Sequence, residues 1–305
     1  MDILSDILQT AGLRKRILNQ REVPQGWQMD FPCDKSMGFH VILKGEVEVS
    51  GLAAPAGLKG KAVATPVMPQ RLKAGDVLFM ARGFCHQLTA PVEGGALVVS
   101  GAYQLWHDPV HPLFRSLPRW QVLPANTRQF NDGVNQALSL LTHEITMQDA
   151  LGASAVSSAL LDILFYYLLR ETLSSHEGAW QRAIADAEVA QALQYMHQNP
   201  GENWNMEGLA QKVGLSRSGF ALRFKQTLGD TPAHYLTTLR MSKAMQLLGE
   251  TEHTLEQIAS TVGYKDAFGF SKAFKKVVGE NPAAFRRKNR EEATLSWRFQ
   301  EHASV

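Results

Sequence analysis

Cysteine is scarce in this chain, with only Cys33 and Cys85 among 305 residues. That excludes a disulfide-stapled secreted scaffold, and a chain held in the cytosol keeps such thiols reduced, so any part they play is local. Long hydrophobic runs are missing too. The most apolar stretch, Ala159 to Leu169, falls well short of the ~20 residues a membrane-spanning helix needs. The opening "MDILSDILQT" carries acids where a secretory signal needs bases. These absences lead us to expect a soluble cytoplasmic chain with no membrane partner. Catalytic signatures are absent as well: there is no G-x-S-x-G, no phosphate-cradling Walker loop and no H-E-x-x-H. A large net charge is also lacking, at +2 overall, but the distribution is uneven. Residues 1 to 185 hold sixteen Lys/Arg against sixteen Asp/Glu, whereas residues 186 to 290 hold fourteen against ten.

What is present falls into three kinds of text. From Phe39 to Tyr103, stretches such as "FHVILKGEVEV", "GDVLFMARG" and "GALVVSGAYQL" alternate apolar with polar residues and are punctuated by Gly and Pro, which predicts short antiparallel strands in a sandwich or barrel. Beyond Pro124, "NDGVNQALSLLTHEITMQ" and "LGASAVSSALLDILFYYLLRETLSS" change to helical spacing. The second is apolar nearly all round, so it is expected to be buried against its own chain or a second copy. The pattern loosens near Ser174 to Gln181, and from Asp186 onward it reads as short capped helices.

A repeat dominates that last third. Leu209, Ala210, Val213 and Gly214 correspond to Ile258, Ala259, Val262 and Gly263, and Phe220, Phe224, Lys225, Gly229, Pro232 and Tyr235 to Phe270, Phe274, Lys275, Gly279, Pro282 and Phe285. Each copy reads as a short helix, a glycine turn and a second helix with Phe at i and i+4, which is a helix-turn-helix. The segment "PAHYLTTLRMSKAMQLLGE" between them reads as a stiff connecting helix. A plain helical bundle would explain the phenylalanines, but not the outward cations Arg217, Arg223, Lys225, Lys265, Lys272, Lys275 and Lys276. Two basic helices about one DNA turn apart suit successive major grooves of double-stranded DNA.

On "LAQKVGLSRSGFALRFKQTLGDTPAHYL", "RMSKAMQLL" and "IASTVGYKDAFGFSKAFKKVVGENPAAFR", residues 186 to 290 resemble the DNA-binding domain of the AraC/XylS family of transcription regulators. The resemblance implies that the second helix of each unit enters the major groove. Where the family usually places Arg, this chain has Leu222, so the base-facing set of the first helix becomes Ser218, Ala221 and Leu222. Leu222 and Ala221 suit a thymine methyl, while Arg217, Arg223 and Lys225 suit phosphates. In the second helix Ala267, Phe268 and Gly269 lie on the groove side, and Lys272 stands where a base-reading Arg is common. Lys265 and Lys275 complete the expected DNA-binding set.

The N-terminal strands resemble a cupin: "GDVLFMARGFCHQL" is similar to the second cupin motif and ends in His86, and the first motif would end at Gly45. Counting back from Gly45, the cupin acid falls at Gly38 and a metal histidine at Cys33, so the full enzymatic metal set is absent. Cys33, His40 and His86 nonetheless supply three N/S groups toward one pocket, which suits zinc or copper(I). Cys33 with Cys85 would equally suit a redox pair, and all four residues would also suit a metal-free interior around an organic effector or none.

The expected fold is an α+β multidomain chain. It has an N-terminal cupin-like β-barrel (1–125), central helices for dimerisation or linkage (126–180), a C-terminal all-α double helix-turn-helix domain (181–291) and a tail (292–305). The expected function is a non-enzymatic, sequence-specific regulator of promoter DNA, an activator, acting as a homodimer with RNA polymerase and controlled by a small molecule, metal or oxidant. The competing reading is a metal-dependent cupin enzyme carrying a DNA-binding domain.

Overall fold

The computed structural model describes residues 14–26, 28–31, 36–51, 69–81, 86–90, 94–104, 117–118, 120–125, 132–147, 150–175, 178–293 and 300–302. The chain divides into two compact units. One comprises residues 15–104, 117–175 and 297–305, and the other residues 1–14, 105–116 and 176–296. The central helices thus belong with the strands, and residues 300–302 pair antiparallel with residues 28–30 of that unit.

In the strand unit the described strands are β1 (Arg14–Val23), β2 (Gln28–Phe31), β3 (Ser36–Lys44), β4 (Glu46–Gly51), β5 (Gln70–Lys73), β6 (Val77–Met80), β7 (His86–Thr89), β8 (Ala96–Gln104), β9 (Gln121–Leu123) and β10 (Gln300–His302). They form two five-stranded sheets, ordered β1-β8-β3-β6-β9 and β10-β2-β7-β4-β5. The period-2 alternation read from the sequence sends Ile42, Val47, Val49, Leu72, Leu78, Leu88 and Val98 into the interior. The Gly-Asp turn is tied by hydrogen bonds: the Asp76 carboxylate accepts from the backbone N–H of Lys73 at 2.8 Å and of Ala125 at 2.9 Å.

Helices α1 (Gly133–Thr146) and α2 (Ala153–Ser175) follow. Asp132 caps α1 by accepting from the Asn135 N–H at 2.6 Å. The inner face of α2 buries Leu161, Leu164, Phe165 and Leu168, and Phe165 packs its ring against Phe79 and Tyr103 at 5.9 and 4.4 Å. The Tyr103 hydroxyl donates to Asp162 at 3.2 Å. Burial first, and that carboxylate second, push the phenol's pKa upward. By length and composition α2 is apolar enough to cross a membrane, but this inner face covers the barrel. Its opposite face leaves Val156, Ala159, Ile163, Tyr166 and Arg170 exposed at alternating spacings of three and four.

The helical unit contains α3 (Ala179–Ala185), α4 (Ala187–Gln198), α5 (Met206–Lys212), α6 (Arg217–Leu228), α7 (Pro232–Glu250), α8 (Leu255–Thr261), α9 (Ala267–Val278) and α10 (Pro282–Ala293). Local sequence sets their ends. Ser216 caps α6 by accepting from the Gly219 N–H at 3.2 Å, and Asp266 caps α9 through Gly269 at 2.7 Å. Thr254 and Gln257 form a reciprocal capping box at α8. Both α6 and α9 stop at a left-handed glycine, Gly229 and Gly279.

Inside, the repeat becomes geometry. Phe220, Phe224 and Tyr235 stack edge to face at 5.6 and 5.5 Å; in the second unit Phe274 meets Phe285 edge to face and Phe270 at a tilt, each at 5.6 Å. All six are at most 1% exposed, and burial of each such ring stabilises by roughly 1.5–3 kcal/mol. Helix α7 lends Leu236 and Leu239 to the first core, and Met241, Ala244, Met245 and Leu248 to the second. Arg240 lies between. Its Nε donates to the Pro200 carbonyl and its Nη2 to the Glu202 carbonyl, both at 2.7 Å, and its guanidinium lies 5.9 Å from the Tyr264 ring centroid.

The turn glycines of the two units are equivalent in backbone and different in surroundings. Gly214 has φ +73 and open space where a Cβ would stand, whereas Gly263 has φ +80 and a Cβ there would lie 2.6 Å from the Gly201 carbonyl oxygen and 2.9 Å from Arg240 Nη2. Gly214→Ala therefore carries only the left-handed backbone penalty, about 1–2 kcal/mol. Gly263→Ala adds a backbone clash and should lower the thermal midpoint of the full chain measurably further, with hydrogen exchange on α8 and α9 locating the loss.

Candidate nucleic-acid interface and sensor pocket

The second helix of each unit presents one face to the core and the other to solvent. On α6, with Phe220, Phe224 and Thr227 buried, Arg217, Ser218, Ala221, Leu222 and Lys225 are exposed. On α9, with Phe270 and Phe274 buried, Lys265 (just ahead of the cap), Phe268, Lys272 and Lys275 are exposed and Ala267 is half-buried. The stripes Ser218, Leu222, Lys225 and Phe268, Lys272, Lys275 occupy matching positions of the repeat. Cations along such a stripe suit phosphate oxygens or guanine edges, and apolar groups suit methyls.

Arg223 is used differently. Its Nε donates to Asp186 Oδ2 at 2.7 Å and its Nη2 approaches Glu188 Oε2 at 2.9 Å, tying α6 to the start of α4. Asp186 also caps α4, accepting from the Val189 N–H at 3.1 Å. The hydrogen bonds from Arg223 and Val189 hold the Asp186 carboxyl below its usual range against the opposing effect of burial. The sequence gives Asp186 away only as a helix cap; its distance of 37 residues from Arg223 hides the ion pair. Arg240 and its carbonyl partners were likewise outside the expected site; Arg286 donates its Nη2 to the His253 carbonyl at 2.6 Å.

His197 of α4 shares a 2.8 Å hydrogen bond between its Nε2 and the Tyr235 hydroxyl of α7. It is 5% exposed, and burial lowers its pKa from 6.5 to about 4.

In the strand unit, His40 on β3 and His86 on β7 come from opposite sheets and meet in the interior, 2% and 3% exposed. Their Nε2 atoms lie 2.8 Å apart, and His40 Nδ1 lies 2.7 Å from Ser100 Oγ on β8. Burial, and then His86 beside it, hold His40 well below the usual histidine range. Two of the three expected metal donors are thus brought together. Cys33 and Cys85 lie outside the described residues, among which no cluster of three or more His, Cys, Asp or Glu forms. Ser100 was not anticipated, although its interior position follows from the alternation that buries Val98.

A cupin family model matches residues 2–174, and a helix-turn-helix domain model matches residues 209–288. A putative AraC-like transcription regulator from Streptomyces lividans is 28% identical, covering 94% of this chain and 98% of its own. The RCS-specific HTH-type transcriptional activator RclR from Escherichia coli K12 is 28% identical over 72% of this chain and 78% of its own. Among solved structures, the DNA-binding domain of AdpA in complex with a target DNA is 26% identical with a TM-score of 0.33, covering 34% of this chain and 93% of that one.

The buried neutral His197 makes the helical unit acid-sensitive. Its folded value lies below its unfolded one, so its contribution is complete above pH 6.5 and is lost as pH falls toward 4. The linkage amounts to about 3 kcal/mol over that span. Hydrogen exchange on α4 and α7 of the full chain should accelerate between pH 6.5 and 4 beyond the intrinsic exchange rates, and His197→Gln should flatten that dependence.

Proposed function

Because the chain belongs to the cupin family and continues into an AraC-type helix-turn-helix domain, we propose that it is a sequence-selective regulator of promoter DNA whose barrel senses a signal. The observation that carries this reading is the pair of exposed, cation-bearing helices α6 and α9, braced by one helix that enters both cores. In this reading the two helices enter successive major grooves of one duplex face. Gene activation through RNA polymerase is the proposed outcome, supported by a relative that is named an activator. Regulation rather than turnover is the proposed role, supported by relatives named as regulators, and the cytoplasm is its proposed place.

Two copies are proposed to pair through α2. One face of that helix is already occupied by the barrel, while Val156, Ala159, Ile163 and Tyr166 form a second apolar stripe at the 3-4 spacing of a helix-helix seam. A change in the barrel then shifts the population of arrangements in which two DNA-binding units are presented.

The signal is proposed to act at His40 and His86. The donor chemistry suits a borderline-soft ion: two imidazoles face each other through Nε2, and Ser100 lies against the far nitrogen of His40, as outer partners of metal-bound histidines do. His40 and His86 would hold zinc or copper, with Cys33 the expected third ligand. The bound ion would supply Lewis acidity or a redox response. A thiol response of Cys33 with Cys85 and an organic effector remain the competing signals.

Two measurements test these readings. Incubated with a random duplex library, the full chain should enrich a defined sequence, and Lys272→Ala should weaken binding to that sequence by tenfold or more while changing binding to random duplex far less. An equal loss on both would make Lys272 a phosphate contact, and no enrichment would defeat the regulator reading. Elemental analysis of the purified protein should find zinc or copper near one per chain, lost in His86→Ala. Metal-free protein would leave the thiol and organic signals.

A further inference from the structure

Among the large apolar side chains of α6 and α9, Leu222 and Phe268 stand apart. Phe220, Phe224, Phe270 and Phe274 are fully buried, whereas Leu222 is 60% and Phe268 81% exposed. A single exposed leucine needs no explanation. Here, however, one such residue lies in the outward stripe of each recognition helix, Leu222 at the middle of its stripe beside the exposed Lys225 and Phe268 at the N-terminal end of its stripe beside the exposed Lys272. The two are not at equivalent positions of the repeat: Leu222 corresponds to Lys272, and Phe268 to Ser218. Each helix has its own apolar point, one turn apart along otherwise matching stripes.

In the major groove only thymine offers an apolar group, its C5-methyl; every other edge presents donors and acceptors. An apolar side chain pressed against those edges strands their hydrogen-bonding atoms, so it selects thymine both by attraction and by the cost imposed on other bases. We propose that Leu222 and Phe268 are specificity determinants that each read the methyl group of a thymine, one in each of two successive subsites. The thymine read by Phe268 lies under the first turn of α9, and that read by Leu222 under the second turn of α6, so the two subsites differ in where their thymine falls. This inference rests on the reading that α6 and α9 enter the groove.

The test uses the full chain and the duplex enriched from a random library, with each thymine replaced singly by deoxyuridine, which removes the methyl and nothing else. Replacement at two positions should weaken binding about fourfold each, the worth of one buried methyl. The penalty at one position should vanish in Leu222→Ala and that at the other in Phe268→Ala. Both variants alter exposed side chains and should melt with the parent protein. Penalties at no position, or penalties that persist unchanged in both variants, would overturn the proposal while leaving sequence-selective binding intact. Failure of the groove reading itself would show earlier, as a library from which no sequence is enriched.

Discussion

Leu236 and Leu239 of α7 lie in one hydrophobic core, and Met241, Ala244, Met245 and Leu248 lie in the next. With its side chains committed to both, α7 is a shared wall rather than a linker. Packing at interior density does not deform continuously, so the angle and separation of the two helix-turn-helix units are set by side-chain fit. Arg240 adds directional bonds where the units meet, holding the loop carbonyls of Pro200 and Glu202 while facing Tyr264. Two short helices that would be marginal alone thereby become fixed probes at a fixed spacing.

The sensor unit relies on a different kind of constraint. Its two sheets are joined through the interior by a polar contact between His40 and His86, both buried. Such a contact costs desolvation and is sensitive to whatever enters beside it. Strand β8 touches both this pocket and the neighbouring helix: Ser100 faces His40 on one side, and Tyr103 reaches Asp162 of α2 on the other. One strand therefore carries a pocket contact and a helix contact on opposite faces, three residues apart.

The repeat was legible because it is written in residues whose reasons are local. Helix caps, turn glycines and phenylalanines at i and i+4 act within a few positions, and Gly214 and Gly263 take the left-handed conformation their turns were read to need. The interior placement of His40 followed from strand alternation, and that of His86 from the resemblance to the second cupin motif. Their direct meeting did not, because it depends on which strands of opposite sheets face one another. The sequence could not choose between a barrel-packed and a partner-packed α2. The helix has two apolar faces, and only the tertiary fold reveals that the barrel occupies just one of them. The pairing of Arg223 with Asp186 was hidden, since a count of cations carries no information about a carboxylate 37 positions away.

That ion pair bears on how the charge of the domain is to be read in solution. Fourteen basic residues stand in the segment 186 to 290, yet Arg223 is already compensated by Asp186 and Glu188, and Arg286 is occupied with backbone carbonyls. A duplex sheds condensed counterions only for phosphates that meet a cation at the interface. On the proposed interface, the ions released on association are those displaced by the outward stripes of α6 and α9 and the cations beside them, fewer than the formal charge of the segment implies.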